Sequence, residues 1–212
     1  MEVPFKPYYQ DDSCTIYNAD CTEIGSAIVF DALVTDPPYG MNFQSNRRTK
    51  QHIKIHGDNA FPVDVVVDFI ARAKVASYVF CRWDNIKEMP TPKSVVVWVK
   101  NNWSMGDLKH EHGRMWEACL FYPGPSHEFN KRIPDVIEAD RTGSILHPTQ
   151  KPVSVFERLM LATKADLFFD PFLGSGSSAV AAKQCGKKLI GIEINEKYCE
   201  IAAKRLEQGV LF

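Results

Sequence analysis

The chain has 212 residues (24.0 kDa), 45% of them hydrophobic and 24% charged. That length suits one domain with an ordinary buried core, and the composition excludes a disordered chain or a fibre. A formal net charge of −1 excludes a protein that coats nucleic acid by bulk attraction alone.

No apolar run approaches the roughly 20 residues that span a bilayer, and Met1 to Pro4 begins nothing like a signal peptide, so a cytoplasmic protein with no membrane partner is expected. The cysteines, Cys14, Cys21, Cys81, Cys119, Cys185 and Cys199, form no C-x-x-C pair. Free thiols are expected, with neither a disulfide framework nor a metal site.

In chain order, β-like runs occur at Cys14 to Tyr17 and at Ala32 to Thr35. The second stops at Asp36-Pro37-Pro38-Tyr39-Gly40, because two prolines cannot continue a central strand. Asn46 to His56 is basic without one acidic residue and reads as a solvated loop or a phosphate-contacting one. Pro62 suits the first turn of a helix running to about Lys74, with Val65, Val66, Phe69 and Ile70 at helical spacing. Strands follow at Ser77 to Cys81, Val95 to Val99 and Ala118 to Tyr122.

Between Asn101 and Leu146 the pattern weakens into Gly, Pro, His and aromatic residues, which predicts an irregular insertion rather than a layer of the core. Regular order then returns. Pro152 starts a helix through Thr163, Leu167 to Phe169 is a buried strand, and Ser177 to Cys185 is a helix stopped by Gly186. Leu189 to Ile192 is the next strand, and a final helix runs from Asn195 to about Leu206. This alternation predicts an α/β fold: one doubly wound, mostly parallel sheet covered on both faces, with ligands at the carboxyl ends of its strands.

Two loops occupy that position. Phe169-Asp170-Pro171-Phe172-Leu173-Gly174-Ser175-Gly176-Ser177-Ser178 joins a strand to a helix, and its glycines let backbone approach a ligand. Glu193 ends the next strand, where a carboxylate can accept hydrogen bonds from both hydroxyls of a ribose. A tight turn without a ligand would also explain the glycines, but the strand-end acid narrows the choice toward adenosine. The loop matches neither G-x-G-x-x-G nor the phosphate loop with its lysine. A nucleoside without phosphates, such as S-adenosylmethionine, fits better than a pyrophosphate ligand.

The loop after Thr35 combines a carboxylate, a stiff backbone and an aromatic face in Asp36, Pro37, Pro38 and Tyr39. An exocyclic amine is a poor nucleophile because its lone pair is conjugated into the ring. The Asp36 carboxylate and the Pro37 carbonyl could accept both amine hydrogens and favour the pyramidal nitrogen that attacks a sulfonium methyl. Tyr39 would stack on the base. A polar turn after a strand is the plain alternative.

Asn18 to Cys21, Thr35 to Gly40, His147-Pro148-Thr149-Gln150-Lys151-Pro152, Asp170 to Ser177 and Gly191 to Asn195 together resemble the beta group of DNA amino-methyltransferases. The resemblance spans nearly the whole chain. Its motif order, catalytic loop first, variable region next and cofactor loop last, is permuted relative to RNA and protein methyltransferases with a similar tetrapeptide. It implies an S-adenosylmethionine-dependent enzyme acting on the N6 amine of a flipped adenine, since Asp36 stands where cytosine N4 enzymes more often have Ser.

The resemblance also implies that Asp20 and Cys21 lie beside the cofactor's adenine, and that Thr149 and Lys151 help hold its methionine end. Asp36, Asp170, Phe172, Gly174, Ser175, Gly176, Ser177 and Glu193 complete the expected cofactor set. Ser177-Ser178 departs from the family's usual threonines but keeps a hydroxyl. Residues 101 to 146 stand where the family reads its target. Arg47, Arg48, Lys50 and Lys54 of the basic loop, with Arg114, Lys131 and Arg132, are the expected DNA contacts. Cytosine N4 methylation and a binding-only relative that has lost its cofactor are the alternatives, and a homodimer or a cognate restriction endonuclease partner is left open.

Overall fold

The computed structural model describes residues 5–41, 60–104, 109–110, 112–141 and 150–208. Its elements in chain order are β1 (Tyr9–Gln10), β2 (Cys14–Asn18), α1 (Cys21–Ile24), β3 (Ala32–Thr35), α2 (Val63–Arg72), β4 (Ala76–Cys81) and β5 (Ser94–Ser104). There follow β6 (Arg114–Pro123), β7 (Val136–Glu138), α3 (Val153–Ala162), β8 (Leu167–Asp170), α4 (Ser177–Gln184), β9 (Lys188–Glu193) and α5 (Glu196–Glu207). Two short 3₁₀ turns, Gly25–Ala27 and Ile86–Glu88, interrupt the connections.

The strands form one sheet in the order β1-β2-β9-β8-β3-β4-β6-β5-β7. The middle, from β2 to β4, is parallel throughout, whereas β1 and β6 pair antiparallel with their inner neighbours. Strand residues alternate between the faces. Ala32, Val34, Tyr78, Phe80 and Phe168 pack with α3, α4 and α5, while Leu33, Val79, Phe169 and Ile192 pack with α1 and α2. Burying both rings of Phe168 and Phe169 contributes about 1.5–3 kcal/mol each, and explains why this stretch of β8 reads as a continuous apolar run.

The doubly wound α/β sheet expected from the sequence is therefore the observed one, but the region from 101 to 146 is not simply an irregular insertion. It holds the end of β5, all of β6 and β7, and it widens the main sheet. Ala118 to Tyr122 of β6 are buried between neighbours on both sides, so the segment supplies a core layer as well as loops.

The strand order places the site. β3 and β8 are neighbours although β3 precedes β8 by more than a hundred residues, and each chain leaves the sheet at its carboxyl end into a polar loop. Prolines stop both strands, at Pro37 after β3 and Pro171 after β8. The two loops consequently open side by side at the point where the strand order reverses. All six cysteines are free thiols. Among the described residues no helix is long and apolar enough to cross a membrane.

Candidate active site

A cleft of about 360 Å³ runs along the carboxyl ends of β2, β9, β8 and β3. Its walls carry Asp20, Cys21, Asp36, Pro37, Pro38, Tyr39, Lys151, Asp170, Phe172, Gly174, Ser175, Ser177 and Glu193. One concave surface thus gathers residues from both ends of the sequence, and the volume falls in the range of small-molecule sites. Thr149 lies outside the described residues, as do Arg47, Arg48, Lys50 and Lys54.

At the cofactor end, Glu193 closes β9 with its carboxylate held by backbone amides: Gly174 N–H donates to Oε2 and Asn195 N–H to Oε1, each at 2.8 Å. Burial raises its pKa against those bonds. Gly174 adopts φ +54°, which turns its N–H onto the carboxylate. Asp20 caps α1 by accepting from Thr22 N–H at 2.8 Å, and the buried Cys21 follows it. Ile194, Phe172 and Leu173 add apolar wall beside these polar groups.

Asp170 is a tie between loops. Its Oδ1 accepts from Thr35 Oγ1 at 2.8 Å and from Phe172 N–H at 3.1 Å, and its Oδ2 accepts from Ser178 Oγ at 2.5 Å. It is 1% exposed, and burial pushes its pKa up to about 6 despite those three donors.

Gly176 corrects an expectation. It does not line the cleft; at φ +80° it turns the chain into α4 and lies against Ala202 of α5, where an added Cβ would come within 2.7 Å of the Ala202 Cβ. The second glycine of the loop packs against α5 and is not part of the cleft's lining.

At the end of the cleft beside β3 the groups form one connected network. Tyr39 OH donates to Asp36 Oδ1 at 2.6 Å, Lys151 Nζ stands 2.5 Å from the same oxygen, and Lys151 Nζ also donates to Tyr39 OH at 2.9 Å. Glu117 completes it: its Oε2 is 3.0 Å from Lys151 Nζ, and its Oε1 is ion-paired to Lys100. The Lys151 ammonium also lies over the rings of Phe80 and Tyr39, 4.7 and 5.3 Å from their centroids.

Burial raises the Asp36 carboxyl's pKa against the pull of Lys151, and the Glu117 charge reinforces the rise. Burial would raise Glu117 as well, but Lys151 and Lys100 together outweigh it and hold Glu117 down at about 2. Burial would strip the charge from Lys151, yet Asp36 and Glu117 outweigh it and keep the ammonium charged.

One expectation needs adjusting here. Lys151 lines the cleft, but its ammonium is spent on Asp36, Glu117 and Tyr39 rather than held out toward a ligand. Glu117 and Lys100 were not legible in the sequence, since they sit singly on β6 and β5 with no motif around them. The one available signal was charge type: each is an ionisable residue within an otherwise apolar strand pattern.

Beyond Tyr39 lies a second, more open hollow of about 320 Å³, lined by Tyr39, Gly40, Met41, Arg82, Asp84, Asn85, Lys87 and Glu88. Tyr39 and Met41 line both spaces. Arg82 is held by Asp84 through two bonds of 2.9 and 2.8 Å.

Among the described residues, the expected DNA contacts Arg114, Lys131 and Arg132 lie apart. Arg114 opens β6 three residues before Glu117, on the cleft end of the sheet. Lys131 and Arg132 are exposed but lie at the far end of α3, where Lys131 N–H donates to the carbonyl of Ala162. A helix of that length puts them about 15 Å from its start beside Lys151. Basic residue type and a place between residues 101 and 146, where the resemblance implies target reading, suggest them, and neither fixes their position in the fold.

A protein-family model described as DNA methylase matches residues 84–204. The type II methyltransferase M2.LlaDCHI of Lactococcus lactis subsp. cremoris is 36% identical over 130 residues, covering 55% of this chain and 43% of that protein. The match thus spans less than half of that relative's length. Among solved structures, the M1.HpyAVI–SAM complex is 24% identical with a TM-score of 0.65, covering 91% of this chain and 99% of the other. PvuII DNA methyltransferase (cytosine-N4-specific) is 17% identical with a TM-score of 0.71, covering 96% and 90%. At these identities the structural likenesses speak for the fold.

Proposed function

The chain belongs to the DNA methylase family, and from that premise we propose that it transfers a methyl group from S-adenosylmethionine to the N6 amine of an adenine flipped out of DNA. The observation that carries this reading is the shared cleft. Asp36 and Tyr39 from the loop after β3, Gly174 from the loop after β8 and Glu193 at the end of β9 line one space.

The residues present fit the cofactor. Glu193 keeps lone pairs for ribose hydroxyls while two backbone amides hold it in place, and Cys21, Phe172 and Ile194 offer an apolar surface for a purine. Bound there, S-adenosylmethionine supplies an electrophilic methyl group on a sulfonium. The chain's own contribution is positioning and acceptance of hydrogen bonds. The Asp36 carboxylate and the Pro37 carbonyl take the two amine hydrogens, which stabilises the pyramidal nitrogen most at the transition state. The alkylated amine is acidic, so its proton leaves to Asp36 or to water without a strong base.

Tyr39 lines both the cofactor cleft and, with Met41, the outer hollow, a suitable place for a ring to stack against a base entering from the hollow side. Such stacking contributes about 1–3 kcal/mol and helps offset extrusion from the duplex, which costs a few kcal/mol. Adenine is preferred because Asp36 opens the tetrapeptide, following the resemblance to adenine-modifying members.

The test is nucleoside analysis by mass spectrometry after incubation with S-adenosylmethionine and unmethylated DNA. N6-methyladenine is expected. N4-methylcytosine would move the reaction to the other base, and no methylated nucleoside would overturn the proposal.

A further inference from the structure

We propose that Glu117 is a positioning residue that gives Lys151 a second anionic partner, so that the Asp36 carboxylate can exchange its lysine contact for the substrate amine. The inference rests on the methyl-transfer reading above. An amine hydrogen that approaches Asp36 on its Lys151 side has to displace a bond already made there. Asp36 Oδ1 is committed twice, to Lys151 at 2.5 Å and to Tyr39 OH at 2.6 Å.

Were Asp36 the sole anion near Lys151, drawing the two apart would leave a buried ammonium unpaired, because the Lys151 side chain is only 3% exposed. Glu117 removes that obstacle. Its Oε2 already lies 3.0 Å from Lys151 Nζ and 3.3 Å from Tyr39 OH, so both groups can lean toward Glu117 without losing a partner. Lys100, paired to the other oxygen of Glu117 and itself buried against Trp98, keeps Glu117 ionised from behind.

The backbone explains why Glu117 reaches the site. Pairing of β6 with β4 ends at Ala118 opposite Cys81, one residue short of Glu117, so Glu117 stands just beyond the carboxyl end of β4. Asp36 stands just beyond the end of β3, the next strand over. The other ionisable groups facing Asp36 are Tyr39, Cys81 of β4, Cys119 of β6 and Asp170 of β8. Burial keeps both thiols protonated.

The experiment compares the full chain with Glu117→Gln by carbon-13 carboxyl NMR of Asp36 across pH, without substrate, alongside methyl transfer to unmethylated DNA. Neutralising Glu117 removes a repulsion from Asp36 and leaves Lys151 to it alone. The Asp36 midpoint is expected to fall by about half a pH unit or more. The methyl-transfer rate at saturation should fall about tenfold, while KM for S-adenosylmethionine changes less than about threefold. Glu117→Asp should recover part of the rate.

If Glu117→Gln fails to fold because Lys100 is left unpaired, the double variant Lys100→Met/Glu117→Gln removes that charge and is read the same way. An unmoved Asp36 midpoint in a folded variant overturns the proposal. Absence of methyl transfer by the unaltered chain would instead sink the functional reading, and the NMR titration would still decide the role of Glu117.

Discussion

Thr35 Oγ1 donates to Asp170 Oδ1 across 2.8 Å, joining the last residue of β3 to the last residue of β8. The two loops that form the cleft start from these residues, so this buried bond ties the Asp36 to Tyr39 turn to the glycine turn where the pairing of β3 with β8 ends. The acceptor is a carboxylate in an apolar setting, which gives the tie a pH dependence.

The Asp170 pKa lies at about 6, above its ordinary 3.8, so the folded state holds its proton more tightly than the unfolded chain. Stability from this group is complete below about pH 4 and is lost as pH rises through 6. Asp170→Asn keeps the shape and removes the titration. The stability of the native chain relative to Asp170→Asn should fall between pH 4 and pH 7 by up to about 3 kcal/mol. Glu117 and Asp11, both held near 2, act in the opposite sense below the usual carboxylate range and are common to both proteins. Denaturant unfolding at pH 4.5, 5.5 and 7 in steps chosen about the midpoint checks this. A constant difference would refute the assignment.

Gly176 and Gly186 both have positive φ, at 80° and 65°, but only Gly176 is crowded. Gly186→Ala meets nothing within 4 Å and should cost about 1–2 kcal/mol, the penalty for a side chain in that backbone region. Gly176→Ala adds overlap with Ala202 and should cost about 1–3 kcal/mol more, read as a larger drop in Tm. Equal losses would mean that the contact with α5 relaxes freely.

Lys151→Met leaves Asp36 and Glu117 facing each other without the ammonium between them. Removing one partner of a buried ion pair costs about 3–5 kcal/mol. Both carboxyl pKa values would then rise, so the folded variant takes up protons and regains stability as pH falls from 7 toward 5. Unfolding curves at the two pH values test this. A loss independent of pH would point to packing of the lysine stem on Phe80 instead.

The parts of the site legible in the sequence are those in which function is packed into contiguous residues. Asp36 to Tyr39 lie in the loop after β3, Gly174 lies in the loop after β8 and Glu193 ends β9, so each sits where a strand pattern gives way to a polar turn. Glu117 and Lys100 escaped because their partner, Lys151, is distant in sequence and only the antiparallel placement of β6 beside β4 brings them to it. The same tertiary placement turned part of an apparently irregular stretch into sheet. Gly176 was read by motif as a ligand contact, whereas its neighbour Ala202 is known only once α5 has packed. For Lys131 and Arg132 charge was visible but location was not.

Glu193→Gln keeps most of the side chain's shape but replaces one acceptor with a donor, opposing the amide of Gly174 or of Asn195. Affinity for S-adenosylmethionine should fall by about tenfold or more, and calorimetric titration measures it. Unchanged affinity would remove Glu193 from the ribose site. A chain that binds no cofactor even when unaltered would fit a binding-only relative.

The most direct measurement is methyl transfer by Asp36→Ala, paired with a binding titration of S-adenosylmethionine to the same variant. The account predicts that transfer drops by about a hundredfold or more while the cofactor still binds within a few-fold of the unaltered chain. Full transfer by Asp36→Ala would contradict it.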